Sequence, residues 1–196
     1  MALCPQHTFQ VLTKRAERMA VYLSALWPDI MASDPKREID AETKAAIREW
    51  PLPNVWLGVS CEDQRRADER IPNLLKCPAA VRFLSCEPLL GAIDLDSTWP
   101  GGMPSPGDGP YVPGIHWCIV GGESGPGARP CRATWVRDVV RQCADAGVSC
   151  FVKQLGSNAE EGYGVHRKLR LKNSKGGDPS EWPEDLRVRE MPEVAR

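Results

Sequence analysis

Residues 55–63, VWLGVSCED, decide the fold class, because an unbroken apolar run ends there in a cluster of polar side chains. Strands that are covered on both faces have such continuous runs, which are typical of parallel sheets. Four further runs are equally short and rich in β-branched or aromatic residues: Phe9–Leu12, Val81–Ser85, Trp117–Gly121 and Cys150–Val152. Together the runs predict a parallel sheet of about five strands.

Helical patterns separate some of these runs. Over residues 135–144, apolar residues recur on one face of a helix, which Thr134 can cap and Gly147 can end. Weaker helical patterns cover residues 41–50 and 62–76, and a proline is expected to interrupt the second. The alternation of strands and helices predicts an α/β fold with right-handed crossovers.

The length of the chain limits how far such a sheet can close. A closed eight-stranded β/α barrel needs about 250 residues, and this chain has 196. We therefore predict a partial parallel β/α barrel over residues 1–156, with a long Gly/Pro-rich insertion loop over residues 91–114. Residues 157–196 are predicted to form an irregular C-terminal extension packed on the barrel. An open barrel leaves an edge strand, which a second copy or a partner is expected to cover.

The composition excludes several classes of protein. The 25 basic and 26 acidic side chains give a net charge of −1, which excludes a polybasic surface over the whole molecule. No apolar run approaches the length of about 18 residues that a membrane span needs, so no membrane partner is predicted. The N-terminal residues lack the basic and apolar regions of a signal peptide, and a cytoplasmic location is predicted.

The eight cysteines predict free thiols rather than disulfides or a metal site. No two of them are separated by only two or three residues, so they lack the spacing of zinc and iron–sulfur motifs. Most lie within apolar runs, where a cysteine behaves as a small buried apolar residue. They are Cys4, Cys61, Cys77, Cys86, Cys118, Cys131, Cys143 and Cys150.

Polar residues and glycines follow the apolar runs. In parallel β/α folds the carboxyl ends of the strands meet at one edge of the sheet, where ligands bind. The alternative is that these residues are ordinary solvated strand ends. The candidate residues of a substrate or cofactor pocket are Lys14, Ser60, Glu62, Glu87, Gly121, Gly122, Glu123, Lys153 and Gln154. The pattern assigns no catalytic residue among them.

Two carboxylates stand out among these candidates. Glu87 precedes a proline that stiffens the exit from its strand, and Glu123 follows two glycines that let the backbone approach a ligand closely. With Lys14 and Lys153 they would form a pocket of mixed charge that can hold a zwitterion or a phosphate. The alternative is a pair of buried salt bridges that tie neighbouring strand ends together.

One local basic run occurs at residues 166–172, HRKLRLK. Its first interpretation is a charged, solvated face. The second is a contact with the phosphate backbone of a nucleic acid, to which Lys and Arg side chains bind electrostatically.

Five segments carry a resemblance to a known family: QHTFQVLTKRAERM (6–19), LPNVWLGVSCED (52–63), RFLSCEPLLG (82–91), IVGGESGPGARPC (119–131) and FVKQLG (151–156). They resemble a phage-borne protein family with a three-cysteine motif, which is distantly similar to radical S-adenosylmethionine enzymes of the spore-photoproduct-lyase type. The resemblance implies a partial β/α barrel, a [4Fe–4S] cluster and bound S-adenosylmethionine. It also implies modification of a nucleic acid or nucleotide, in the host cytoplasm if the protein is encoded by a phage. Ser60 is similar in placement to a polar residue that contacts the cofactor, and residues 119–121 to the strand behind the adenine.

The cluster-binding cysteines are the point at which this sequence departs from its relatives. In that family they precede the region that begins here at Pro5, only four residues after Met1. We expect the cluster-binding segment to be absent from this chain or supplied by another. Two hypotheses therefore remain open: part of a radical S-adenosylmethionine-like enzyme, or a non-catalytic binding or interaction module that retains the face of the barrel.

Overall fold

The computed structural model of the chain describes residues 1–23, 50–95, 114–162, 164–165 and 167–193. The strands are β1 (Phe9–Thr13), β2 (Val55–Ser60), β3 (Val81–Cys86), β4 (Trp117–Gly121), β5 (Cys131–Arg132), β6 (Ser149–Gln154), β7 (Ala159–Glu161) and β8 (Arg167–Lys168). Five of them form a parallel sheet in the order β1-β2-β3-β4-β6. The predicted α/β class and the predicted strands are confirmed.

The described residues form the α-helices α1 (Ala16–Val21), α2 (Gln64–Leu75) and α3 (Ala133–Asp145), and short 3-10 helices at Pro179–Glu181 and Glu184–Leu186. Their buried residues join the main core with the side chains of one face of the large sheet, such as Val59, Leu84 and Val120. No helix of the described residues contributes to the apolar cluster on the opposite face. Helices on a single face are typical of a β/α barrel, so the architecture is consistent with the predicted partial barrel.

The opposite face of the sheet carries an aromatic cluster, which we call the aromatic face. The parallel register places Trp56 beside Val81 and Gly58 beside Phe83, and side chains alternate between the two faces of a strand. Trp117 packs against the rings of Trp56 and Phe83, both with ring centroids 5.9 Å away. A Cβ atom at Gly58 would lie 2.4 Å from the ring of Phe83, so the glycine makes room for this ring.

The second predicted helix is not interrupted by its proline. Helix α2 continues through Pro72 to Leu75, and its N-cap is Asp63, whose side chain accepts a hydrogen bond from the backbone N of Arg66 at 2.9 Å. Pro72 cannot donate to the carbonyl of Asp68, one turn earlier. Asp68 is exposed, so water can satisfy that carbonyl. The prediction of an interruption is therefore wrong.

The N-cap of α3 also differs from the prediction, whereas its end agrees. The helix begins at Ala133 and its N-cap is Arg132, which makes no side-chain capping bond. Thr134 lies inside the first turn, because the chain enters the helix directly from strand β5. At the other end, Gly147 adopts a φ of 66°, which favours glycine and ends the helix as predicted.

The C-terminal part of the chain contains a second, small sheet that the sequence did not predict, with the strand order β5-β7-β8. Beyond it, Trp182 is buried in the main core and donates a hydrogen bond from Nε1 to the carbonyl of Gly176 at 3.0 Å. Val188 accepts from the backbone N of Val152 at 2.9 Å, alongside β6. That edge of the large sheet is thereby covered.

Two predictions lie wholly or largely outside the described residues. The helix predicted at 41–50 is described only at Trp50, and residues 96–113 of the Gly/Pro-rich loop are not described. Among the described residues, no helix has the length and apolar character needed to cross a membrane.

The thiols agree with the prediction of free and mostly buried cysteines. All eight are free, and each except Cys4 is buried. Cys86 and Cys118 lie on neighbouring strands with their Sγ atoms 3.8 Å apart. Burial raises the pKa of Cys77 to about 11 and the pKa of Cys131 to about 12.

We expect Gly58→Ala to lower the free energy of unfolding by about 1–3 kcal/mol, because the added methyl group overlaps the ring of Phe83. The matched control is Gly91→Ala, where an added Cβ meets no atom within 4 Å. The control should change stability by less than about 0.5 kcal/mol. Urea unfolding of the wild type and both variants measures the difference, and equal stability of the two variants would contradict the packing argument.

Candidate functional site

The carboxyl ends of the large sheet lie at one edge. The register pairs Thr13 with Val59, Ser60 with Ser85, Cys86 with Val120, and Gly121 with Gln154. All the predicted site residues lie in the last two residues of these strands or within two residues after them. Their charged side chains fall into three separate groups, each centred on one glutamate: Glu62, Glu87 and Glu123.

The first group surrounds the buried carboxylate of Glu62. Lys14 and Arg70 each form an ion pair with it, and Arg70 Nη1 lies 2.9 Å from Glu62 Oε2. The same Nη1 donates to the carbonyl of Ser60 at 2.7 Å. Burial raises the pKa of Glu62, but the hydrogen bond from Lys14 and the charge of Arg70 outweigh burial and hold that pKa below its usual value. This group joins β1, β2 and α2.

Arg70 was missed by the analysis of the sequence. It is buried in α2 between the apolar residues Ala67, Ile71 and Leu74. A charged side chain on the apolar face of a helix indicates a buried partner of opposite charge. That signal was present in the sequence.

The second group joins Glu87 after β3 to Lys153 in β6, with Lys153 Nζ 3.2 Å from Glu87 Oε2. The side chain of Glu87 is 17% exposed and that of Lys153 is 55% exposed, so this pair faces solvent through the lysine. A Cβ atom at Gly121 would lie 2.5 Å from Glu87 Oε1. The glycine in β4 therefore lets the glutamate reach across to β6.

Gly122 and Gln154 connect the ends of β4 and β6. The backbone N of Gly122 donates to the carbonyl of Gln154 at 3.0 Å, and Gln154 Nε2 donates to the carbonyl of Gly122 at 2.9 Å. A Cβ atom at Gly122 would lie 2.2 Å from the carbonyl oxygen of Leu155. The close approach of the backbone at Leu155 thus explains why a glycine stands at this position, without any ligand.

The third group is Glu123 with Arg129. Arg129 donates from Nε and Nη2 to the two carboxylate oxygens, both at 2.8 Å, and from its backbone N at 2.9 Å. These hydrogen bonds lower the pKa of Glu123 to about 2. Among the four residues of the predicted mixed-charge pocket, only Glu87 and Lys153 form an ion pair with each other. Lys14 pairs with Glu62, and Glu123 pairs with Arg129. The Glu87–Lys153 pair connects the ends of β3 and β6, which lie on either side of β4.

Two buried hydroxyl groups lie beside the charged groups. Ser60 and Ser85 are partners in the register of β2 and β3, on the aromatic face. Ser85 was not selected from the sequence, although both strands end in the triplet Ser-Cys-Glu, at 60–62 and 85–87. Equal triplets at the ends of paired parallel strands would have indicated that the two hydroxyls are neighbours.

The donor set at this edge does not fit an iron–sulfur cluster. In the part of the chain that the structure describes, no three His, Cys, Asp or Glu side chains are grouped so that they could hold a metal ion. The cysteines of the two triplets, Cys61 and Cys86, are wholly buried in the core on the helix side of the sheet. Burial raises the pKa of Cys61 well above its usual value, whereas a [4Fe–4S] cluster needs several thiolates in one place.

Comparison with protein families gives one match of wide coverage. A family model described as "Protein of unknown function (DUF5131)" matches residues 1–184 of the chain. No curated protein and no solved structure matches the chain.

We expect Glu62→Gln to lower the free energy of unfolding by about 3 kcal/mol at pH 7, because it leaves the buried guanidinium of Arg70 without its counter-charge. The matched control is Glu69→Gln, which removes an exposed ion pair with Arg66 and should cost less than about 0.5 kcal/mol. Urea unfolding measures both. Equal losses in the two variants would contradict the role assigned to burial.

The difference in the free energy of unfolding between wild type and Glu62→Gln should depend on pH. The pKa of Glu62 is lowered in the folded chain, so its charge stabilises the fold above its ordinary pKa of 4.5. This stabilisation is lost as the pH falls through the lowered pKa. The difference between wild type and Glu62→Gln should therefore be full at neutral pH and shrink at pH values below 4.5.

Proposed function

The chain belongs to the DUF5131 family, and we propose that its large sheet binds S-adenosylmethionine or a nucleotide at the carboxyl edge, in a fold similar to that of radical S-adenosylmethionine enzymes. The observation that carries this proposal is the Glu87–Lys153 pair. It presents opposite charges 3.2 Å apart at the edge where parallel β/α folds bind their ligands.

The chemistry of this edge suits a ligand that has an amino-acid end or a phosphate. The ammonium of Lys153 pairs with a carboxylate or phosphate, and the carboxylate of Glu87 accepts from an amino group. By the resemblance, Ser60 is similar in placement to a polar residue that contacts the cofactor. By the resemblance, the strand at residues 119–121 lies behind the adenine. Glu123 takes no part, because Arg129 already occupies both of its oxygens.

The wider role proposed for the chain is the modification of a nucleic acid or nucleotide, in host cytoplasm if a phage encodes it. In radical S-adenosylmethionine chemistry, a [4Fe–4S] cluster supplies the electron that cleaves the sulfonium. The described residues offer no thiolate set for that cluster. We therefore assign to them only the binding and orientation of the ligand.

We expect Lys153→Met to weaken binding of S-adenosylmethionine or a nucleoside diphosphate about 10- to 100-fold, because a charge-assisted hydrogen bond is lost. Lys76→Met is the matched control: this exposed lysine follows α2 at the opposite edge of the sheet and should leave affinity unchanged. Titration calorimetry measures the affinities. If neither ligand gives heat with the wild type, the proposal fails and Glu87–Lys153 is a structural salt bridge.

A second candidate function is an interaction module that associates with a second copy of the chain. Within the described residues, β1 pairs only with β2, so its other edge has no strand partner. The apolar side chains of Leu12 and Val21 near that edge are 48% and 50% exposed. Exposed strand edges and apolar patches favour association.

For this second candidate, sedimentation should show association that increases with concentration and that Leu12→Lys reduces. Met191→Lys is the control, because Met191 is equally exposed, at 51%, and lies at the amino end of β6. A monomer at every concentration would contradict this candidate and leave the ligand-binding proposal unaffected.

A further inference from the structure

A groove of about 850 Å³ lies between the end of β6 and the segment that begins with β8. Gly156 and Ser157 line one side, and residues 167–171, Asn173 and Ser174 line the rest. Arg167, Lys168 and Arg170 contribute exposed cationic side chains to its wall. A chain with a net charge of −1 thus carries a local concentration of positive charge.

The segment alternates between leucines that face the core and cations that face solvent. Leu169 and Leu171 pack against the main core, whereas Lys168, Arg170 and Lys172 are exposed. The backbone N of Leu169 donates to the carbonyl of Ala159 at 2.8 Å, which fixes the segment against β7. Lys168 and Arg170, two positions apart, both lie in the wall of the groove, together with Arg167.

No carboxylate of the described residues pairs with these cations. The neighbouring acidic side chains have other partners: Glu161 pairs with Arg137, and Glu181 accepts from the backbone N of Lys172. Glu160 stands opposite Lys168 in the β7–β8 ladder without forming an ion pair. The positive charge of the groove is therefore available to an anion in solution.

The groove lies next to the loop that leaves the carboxyl end of β4. The backbone N of Ser157 donates to the carbonyl of Glu123 at 2.8 Å, and Ser157 Oγ accepts from the backbone N of Gly125 at 3.0 Å. A Cβ atom at Gly156 would lie 2.6 Å from the carbonyl oxygen of Glu123. The floor of the groove thus packs against the loop that leaves β4.

We propose that this groove binds the phosphate backbone of a single-stranded nucleic acid, so that one nucleotide of the strand reaches the carboxyl edge. The inference rests on the proposed function for the nucleotide at the edge, but the contacts between cations and phosphates stand on the groove alone. Cationic grooves that follow a single strand bind it without reading its sequence.

The shape of the site favours a nucleic acid over an anionic membrane. A membrane presents a broad surface, and proteins that lie on it insert apolar side chains between the lipids. Here the cations line a concave groove. Leu169 and Leu171 also line it, but both pack against the main core, so they do not project from the surface as membrane anchors.

The test is fluorescence anisotropy of a labelled oligothymidylate with the full chain. The triple variant Arg167→Gln, Lys168→Gln, Arg170→Gln should weaken binding at least 10-fold. The slope of log affinity against log salt should fall by about 2, as expected for the loss of three phosphate contacts with a single strand. The control is Arg65→Gln, Lys76→Gln, Arg141→Gln, which removes the same charge from exposed residues of α2 and α3 and of the turn after α2. It should change affinity less than 2-fold.

Equal losses in both triple variants would overturn the inference, because net charge alone would then explain binding. Binding to phosphatidylserine vesicles that depends on the groove, without binding to the oligonucleotide, would also overturn it. Calorimetry with Lys153→Met separates the two proposals. If the oligonucleotide binds through the groove but no small ligand gives heat, the phosphate contacts of the groove stand, whereas the placement of a nucleotide at the edge fails with the proposed function.

Discussion

The parallel pairing of β2 with β3 is the constraint on which the rest of the structure depends. Its register places Gly58 beneath the ring of Phe83 and sets Ser60 beside Ser85. A shift by one residue would turn the aromatic side chains toward the helices and the main-core side chains toward the opposite face. Because strands β1 and β4 pair with this central unit in turn, the position of every carboxyl end follows from it.

The two Ser-Cys-Glu triplets show how neighbours decide the role of identical residues. In both, the serine lies on the aromatic face and the cysteine in the core on the helix side. The glutamates differ: Glu62 is held by Lys14 and Arg70, whereas Glu87 extends over Gly121 to Lys153. The carboxylate of Glu62 connects β1, β2 and α2, whereas that of Glu87 lies at an edge that faces solvent through Lys153. This difference makes the second the better candidate for contact with a ligand.

The five strands of the large sheet and helix α3 could be predicted, because each is long enough for burial to impose a clear pattern on its residues. The strands β5, β7 and β8 have only two or three residues, too few for any periodicity. The residues near the site could likewise be named from the order of strands, but their pairing could not. Whether Lys14 meets Glu62 or Glu87 depends on side-chain geometry across several strands, which residue order does not contain. Arg70 and Ser85 did leave local signals.

By burying seven free thiols, the fold also protects them from reagents in solution. Oxidants must reach a thiol before they can react with it, so a buried thiol oxidises slowly. Each brief opening of the sheet from its helices exposes several cysteines at once, among them Cys86 and Cys118, whose sulfur atoms are already neighbours. The rate at which these buried thiols oxidise should therefore follow how often the helices separate from the sheet.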